Sequence, residues 1–183
     1  PSEQTWAKSK ELAENTLAQY KKTHGDYPRK VSYTFWSSEF IESEGATIAQ
    51  VLYMLGVEPV RDAYGRVSDL RLIPSEQLGR PRVDVIVQTS GQFRDLAASR
   101  LALISRAVEM AAAATDDRYG NRVAESTVET ERLLVEQGVS PKDAREMSTQ
   151  RVFGGVNGMY GTGIQDMITS GDKWTDEQGI ADA

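Results

Sequence analysis

The chain has 183 residues, of which 26% are charged and 39% belong to the hydrophobic set AVILMFWYC, so neither a disordered chain nor a membrane protein is expected. The net charge is -6 and the basic residues are scattered, which argues against nucleic acid as a partner. There are no cysteines, so disulfides, thiolate metal sites and cysteine nucleophiles are excluded.

The first 74 residues predict alternating helices and strands. Apolar side chains recur at near-helical spacing from Trp6 to Tyr20, and Gly25 and Pro28 are typical of a helix end. KVSYTFW is β-branched and aromatic, which favours a strand. The predicted elements are a helix over 3–23, a strand over 30–36, a helix over 45–56 closed by Gly56, and short strands over 57–60 and 70–74 with a turn at 63–66.

The strongest predicted strand is VDVIV, over residues 83–87, which is apolar at nearly every position. Such a strand is usually covered on both faces, as in a parallel sheet between helix layers. Helices are predicted over 96–114, 122–137 and 140–147, the last with Ser140 as N-cap and Pro141 at its first position. A glycine-rich run over 154–163 and short helices follow.

These patterns predict an α/β fold with a mostly parallel sheet and helices on both faces, plus a helical and glycine-rich C-terminal part. We expect a single domain over 1–183, with an α/β core over 1–115 and an extension over 116–183. No apolar run approaches the roughly 18 residues of a membrane span. The chain opens at Pro1 without a signal region, which suggests a piece of a longer protein.

Two segments lie where ligands bind in open α/β sheets, beyond the carboxyl ends of strands. SSEFIESEG (37–45) carries Glu39, Glu42 and Glu44, and TSGQFRD (89–95) carries adjacent Arg94 and Asp95. Neighbours on a helix point about 100° apart, so Arg94 and Asp95 need different partners. On the residues alone, solvated carboxylates and an ordinary ion pair remain the commoner interpretations.

Two other features of the sequence argue against particular kinds of site. GGVNGMYGTG (154–163) has no GK[ST] ending and follows no clear strand, so a phosphate-binding loop is not predicted there. His24 is the one histidine, which rules out two-histidine metal motifs and argues against a catalytic triad.

Three long stretches resemble one family. They are YTFWSSEFIESEGATIAQVLYMLGVEPVRDAYGRV (33–67), LIPSEQLGRPRVDVIVQTSGQFRDL (72–96) and RVFGGVNGMYGTGIQDMI (151–168), with W-x-D-E at 174–177. They resemble the large, porphyrin-binding subunit of the ATP-dependent metal chelatases, which comprises the cobaltochelatase large subunit and the magnesium-chelatase H subunit. Members are several times longer, so the resemblance implies a fragment, which alone should lack turnover.

The resemblance implies a tetrapyrrole site in which a divalent metal replaces two pyrrole protons. Carboxylates would take those protons, and Arg side chains would bind the acidic groups of the substrate. The candidate catalytic residues are Asp95, Glu44 and Glu39, with transient metal contact at Asp95 and Glu44. The candidate substrate-binding residues are Arg94, Arg80 and Arg82, with Trp36, Phe93 and Tyr160 against the ring faces.

The resemblance also implies no tightly bound cofactor, with metal and tetrapyrrole as substrates, ATP on AAA+ partner subunits, and a cytoplasmic location. YGNRVAESTVET (119–130) lacks the histidine of the magnesium branch, and YGTGIQDMI is similar to the cobalt branch, so Co²⁺ insertion in cobalamin-type biosynthesis is favoured over Mg²⁺. LAASR (96–100) follows FRD where the family often has an aromatic residue and a proline. This departure leaves open removal of metal from haem, and a non-enzymatic tetrapyrrole-binding module is the remaining alternative.

Overall fold

The computed structural model of the protein describes residues 2–35, 44–89 and 98–154, and of Glu44 the backbone alone. The helices and strands, in chain order, are α1 Glu3–His24, β1 Lys30–Phe35, α2 Glu44–Leu55, β2 Val57–Arg61, β3 Val67–Leu72, α3 Ser75–Leu78, β4 Asp84–Thr89, α4 Ala98–Ala112, α5 Arg122–Glu136, α6 Pro141–Met147 and β5 Val152–Gly154.

Among the described residues, β1, β4 and β5 form a three-stranded parallel sheet of order β1-β4-β5. The predicted parallel sheet is thereby confirmed. β2 and β3 form a separate antiparallel hairpin. The short turn between them, with Gly65 at φ 80°, reverses the chain directly, whereas a parallel pair would need a long crossover connection.

Helices cover both faces of this sheet. Successive strand residues point to opposite faces, so each strand contributes side chains to both helix layers. Val85 and Val87 lie in a core cluster with residues of α1, α2 and α4. Ile86, between them in sequence, packs instead with Leu134 of α5, Ala144 of α6 and Phe153 of β5. A fully buried side chain of this size contributes about 1.5–3 kcal/mol, so β4 supports both halves of the core.

The predicted helix ends agree with the structure. Gly25 adopts φ 86° after α1 and donates its N–H to the carbonyl of Lys21. Ser140 accepts a hydrogen bond from the backbone N–H of Asp143, and Pro141 is the first residue of α6. These caps stabilise helix ends that would otherwise leave backbone groups without partners.

The predicted strand over 70–74 is displaced in the structure. β3 begins at Val67 and ends at Leu72. Pro74 lies at the N-cap of α3, a one-turn helix that the sequence patterns did not predict. Proline has no N–H for a strand ladder, which explains why pairing stops before it. The glycine-rich run beyond Gly154 and the helices predicted after it lie outside the described residues.

Candidate functional site

The carboxyl edge of the parallel sheet is the candidate site. The register pairs Phe35 with Thr89 and Thr89 with Gly154, so the last residues of β1, β4 and β5 lie side by side. Neighbouring strands lie about 4.8 Å apart, which places the three strand ends within about 10 Å. Ligands of open α/β sheets bind at this edge.

Three segments follow these strand ends directly in sequence. They are residues 36–43 after β1, 90–97 after β4 and 155–183 after β5, and all three lie outside the described residues. Of the candidate site residues, Trp36, Glu39, Phe93, Arg94, Asp95 and Tyr160 belong to them. Their assignments therefore stay predictions, and the described residues give the anchor points from which each segment continues.

Glu44 is the first residue of α2. The other end of α2 lies at the amino edge of the sheet, because the carbonyl of Met54 accepts a hydrogen bond from the N–H of Val83, just before β4. A 12-residue helix is about 18 Å long and a six-residue strand about 20 Å. The start of α2 is therefore level with the carboxyl edge, where the helix dipole favours a carboxylate.

α4 has the same orientation. Its C-terminal turn lies at the amino edge, since the carbonyl of Ala111 accepts from Nδ2 of Asn121, and Asn121 forms a β-bridge with Arg82. Its N-terminal residue, Ala98, follows the predicted Arg94 and Asp95 by a few positions. Two helices thus start on the side of the sheet where the candidate segments continue.

Arg80 and Arg82 lie far from this edge. Both are buried, with 2% and 1% of their surface exposed. Arg80 donates to the carbonyls of Tyr53 at 2.6 Å and Met54 at 3.3 Å. Arg82 donates to those of Leu55 at 3.3 Å and Gly56 at 2.6 Å. The two guanidinium groups therefore cap the C-terminal carbonyls of α2, about 18 Å from its first residue.

Arg80 and Arg82 lie away from the carboxyl edge and donate to carbonyls at the end of α2, whereas the resemblance implies that they bind substrate. The last carbonyls of a helix have no partners within it and attract cations. α2 has no basic residue in its last turn, so both cations come from the segment before β4. That lack, together with two arginines shortly before a buried strand, is the sequence signal that could have indicated capping.

Arg80 also joins α1 to α2. Its Nε lies 3.5 Å from Oε1 of Glu14, whose carboxylate accepts a hydrogen bond from the Tyr53 hydroxyl. Burial together with this hydrogen bond raises the pKa of Tyr53 to about 12. Burial also raises the pKa of Tyr33 on β1, an effect that nearby Arg80 partly opposes. Both phenols are neutral at physiological pH.

Arg82 is fixed on its other side by two carboxylates in the loop before α5. Its Nε lies 3.2 Å from Asp117 and its Nη2 lies 3.4 Å from Asp116. The backbone N–H of Ser75, and then Arg82, lower the pKa of Asp116. Arg82 also donates to the carbonyl of Ile73 at 2.8 Å. It therefore ties α2, the segment before α3 and the loop before α5 together.

Within 2–35, 44–89 and 98–154, no group of three or more His, Asp or Glu side chains is placed to hold a metal ion. Among the helices of that same part of the chain, none is both long and apolar enough to cross a membrane.

The fold and edge define an α/β protein with its candidate ligand site at the carboxyl ends of parallel strands. The family model described as CobN/Magnesium Chelatase matches residues 1–183. The chain belongs to this family, which confirms the resemblance.

Curated relatives carry names from both branches of the family. The chain is 37% identical to the magnesium-chelatase subunit ChlH, chloroplastic, of Oryza sativa subsp. indica, over 86% of this chain and 11% of that protein. It is 36% identical to the aerobic cobaltochelatase subunit CobN of Pseudomonas aeruginosa, over 92% of this chain and 14% of that protein. The chain thus spans a small part of the length of these relatives.

A solved structure shares the fold. The catalytic subunit of cobaltochelatase from Mycobacterium tuberculosis superposes with a TM-score of 0.74 at 33% identity. The match covers 99% of this chain and 15% of that chain.

Proposed function

We propose that this chain forms the tetrapyrrole-binding catalytic part of an ATP-dependent metal chelatase, which inserts a divalent metal ion into a corrin or porphyrin. Membership of the CobN/magnesium chelatase family over residues 1–183 carries the proposal. The common edge formed by Phe35, Thr89 and Gly154 supports it, because the segments with the candidate side chains continue from these three residues.

The proposed reaction replaces two pyrrole N–H protons by one divalent metal ion and releases both protons. Bases near the ring centre accept the protons, and positioned groups of this kind contribute about 10²- to 10⁴-fold to a rate. Asp95, Glu44 and Glu39 are the proposed bases, with Asp95 and Glu44 in transient contact with the metal. The start of α2 at the carboxyl edge supports Glu44 in this role.

Arg94 is the proposed partner of the acidic substituents of the tetrapyrrole, through two parallel hydrogen bonds to a carboxylate. Arg80 and Arg82 already donate to helix carbonyls inside the protein, so we assign them to the support of α2 instead. Trp36, Phe93 and Tyr160 are the proposed ring contacts, because aromatic side chains stack on a flat macrocycle.

Co²⁺ is the proposed metal and Mg²⁺ the second choice. The absence of histidine from YGNRVAESTVET (119–130) supports Co²⁺. The identities to the rice and Pseudomonas relatives are 37% and 36%, too close to separate the branches. We further propose that separate ATPase subunits hydrolyse ATP and that the rest of the large subunit completes the site.

Asp95→Asn and Glu44→Gln test the proposed bases in the full-length protein with its partner subunits. Each variant should lower the rate of metal insertion by about 100-fold or more, because the base is lost. Binding of the metal-free tetrapyrrole, followed by fluorescence quenching, should change little, since neither residue is assigned to the acidic substituents. Arg94→Gln should weaken binding of the metal-free tetrapyrrole, because Arg94 is the proposed partner of its acidic substituents.

Glu11→Gln is the matched control, because Glu11 is an exposed carboxylate on α1. Insertion of Co²⁺ into a hydrogenobyrinate-type corrinoid and of Mg²⁺ into a porphyrin, measured side by side, decides the metal. Release of metal from haem is the third assay. Unchanged insertion in both Asp95→Asn and Glu44→Gln would contradict the assignment of the bases.

A further inference from the structure

A buried ion pair lies on the face of the sheet opposite α2. Asp84 is the first residue of β4, Arg151 directly precedes β5, and both side chains are completely buried. Arg151 Nε donates to Asp84 Oδ1 at 2.8 Å. The ammonium group of Lys30 lies 4.0 Å from the other carboxylate oxygen.

The remaining nitrogens of Arg151 bind three other groups. Nη1 donates to the carbonyls of Ser148 at 2.6 Å and Gln150 at 3.0 Å. Nη2 donates to the hydroxyl of Thr127 on α5 at 3.1 Å. One side chain therefore joins the end of α6, the middle of α5 and the start of β4.

β5 needs such an anchor because it has three residues and pairs with β4 alone among the described strands. A three-residue strand makes few ladder hydrogen bonds, so its register depends on buried side chains such as Phe153 and Arg151. A slip by one residue would turn Arg151 to the opposite face, and a slip by two would move it by about 6.6 Å along β4. Either slip breaks the contact with Asp84, so the pair is compatible with one register.

Stability alone is a poor explanation for this pair. Removing two charges from water costs several kcal/mol, and replacing a buried ion pair by apolar side chains is often neutral or stabilising. What an apolar pair does not supply is a directional contact that singles out one register.

We propose that Asp84 and Arg151 are positioning residues, whose ion pair fixes the register of β5 and so holds Gly154 beside Thr89 at the carboxyl edge. This positioning role rests on the proposed function, which places the tetrapyrrole site at the carboxyl edge. Neither residue touches the substrate. Their effect is carried by the backbone of β5.

Arg151→Met in the full-length protein with its partner subunits tests this role. A misplacement of about 1 Å at a reacting centre can cost about 100-fold, so kcat/KM for metal insertion should fall by about that factor. Leu134→Ala is the matched control, because Leu134 packs in the same cluster as Ile86 and Phe153 without a bond to the ion pair. It should lower Tm at least as much, with kcat/KM within about twofold of wild type.

Hydrogen exchange supplies a readout that does not depend on activity. The N–H of Val87 donates to the carbonyl of Arg151 at 2.7 Å, so this amide reports on the pairing of β4 with β5. Arg151→Met should accelerate its exchange more than Leu134→Ala does. Arg151→Lys keeps a charge beside Asp84 without the forked hydrogen bonds, and gives the same comparison if the Met variant does not fold.

Two results would overturn the positioning role. One is loss of activity in proportion to the loss of Tm in both Arg151→Met and Leu134→Ala. The other is wild-type exchange at Val87 in the Arg151 variants. If the wild-type protein inserts no metal, the proposed function fails, and exchange at Val87 still decides whether the pair sets the register.

Discussion

Gly56 occupies a position that no other residue fits. It has φ 75°, in the left-handed region, where other L-residues are strained. A Cβ atom at this position would lie 2.2 Å from Nη1 of Arg82 and 2.9 Å from Cδ2 of Leu78. The displaced guanidinium is the group that caps the end of α2. Backbone conformation and side-chain packing therefore both require glycine at position 56.

Gly56→Ala should lower the free energy of unfolding by about 3 kcal/mol or more. Backbone strain costs about 1–3 kcal/mol, and each buried carbonyl that loses Arg82 adds about as much. Gly65→Ala is the control, because Gly65 has φ 80° with open space around it, and should lose about 1 kcal/mol. Urea denaturation measures both, and equal losses would show that the contact with Arg82 is unimportant.

At the residue scale, local signals predicted Gly56 as a helix end but not the role of Arg80 and Arg82. Glycine after an apolar helix pattern is recognisable within a few positions. The carbonyl partners of Arg82 at the end of α2, Leu55 and Gly56, lie 27 and 26 positions away in sequence. Such pairings depend on tertiary packing, so a buried arginine and a ligand-binding one look alike in a single sequence.

At the element scale, Asn121 joins the end of α4 to the start of α5. Its Oδ1 accepts from the N–H of Ala124 at 2.9 Å, which caps α5. Its Nδ2 donates to the carbonyl of Ala111 at 2.7 Å and to Asp117 at 3.1 Å. The side chain is 6% exposed, so water cannot replace these partners freely.

Asn121→Ala should lower the free energy of unfolding by about 3 kcal/mol. Loss of the cap costs about 1 kcal/mol, and the buried carbonyl of Ala111 left without a partner costs about 1–3 kcal/mol. Ser140→Ala, which removes an exposed cap from α6, should cost about 1 kcal/mol. Chemical denaturation of both variants measures the difference, and similar losses would argue against the link to α4.

The elements were predictable where periodicity and caps agree. Helices over 122–137 and 140–147 match α5 and α6 within one residue at each end, and the predicted N-cap Ser140 and Pro141 mark the start of α6. β3 was displaced because its polar residues, such as Ser68 and Asp69, hide the pattern of a strand. α3 has four residues, too few for any periodicity to appear.

At the scale of the whole molecule, the nearly continuous apolar pattern of residues 83–87 predicted a parallel sheet covered on both faces. The strand order β1-β4-β5 was beyond sequence patterns, since pairing between Thr89 and Gly154 depends on contacts across 65 positions. The carboxyl ends of the strands could be proposed from the sequence as the candidate site, and that assignment stays a prediction. The arrangement of its side chains could not be predicted, because the segments that carry them follow three different strands.

The described bonds cross residue 115, where the expected core over 1–115 meets the expected extension over 116–183 of the same domain. Arg82 binds Asp117, the N–H of Arg118 donates to Ser75, and Arg151 binds Asp84. Both core clusters also include side chains of β4. Neither part keeps its buried partners without the other, so partial unfolding would expose apolar surface and unpaired charges.

The 183-residue chain should therefore unfold in one cooperative transition. Far-UV circular dichroism and tryptophan fluorescence should give coincident urea curves, the usual test of two-state behaviour. Val85→Ala and Ile86→Ala, on opposite faces of β4, should each move both curves to lower urea together, with about 2–4 kcal/mol lost for Ile86. Two separate transitions, with Ile86→Ala shifting one of them, would show instead that residues 116–183 form their own unit.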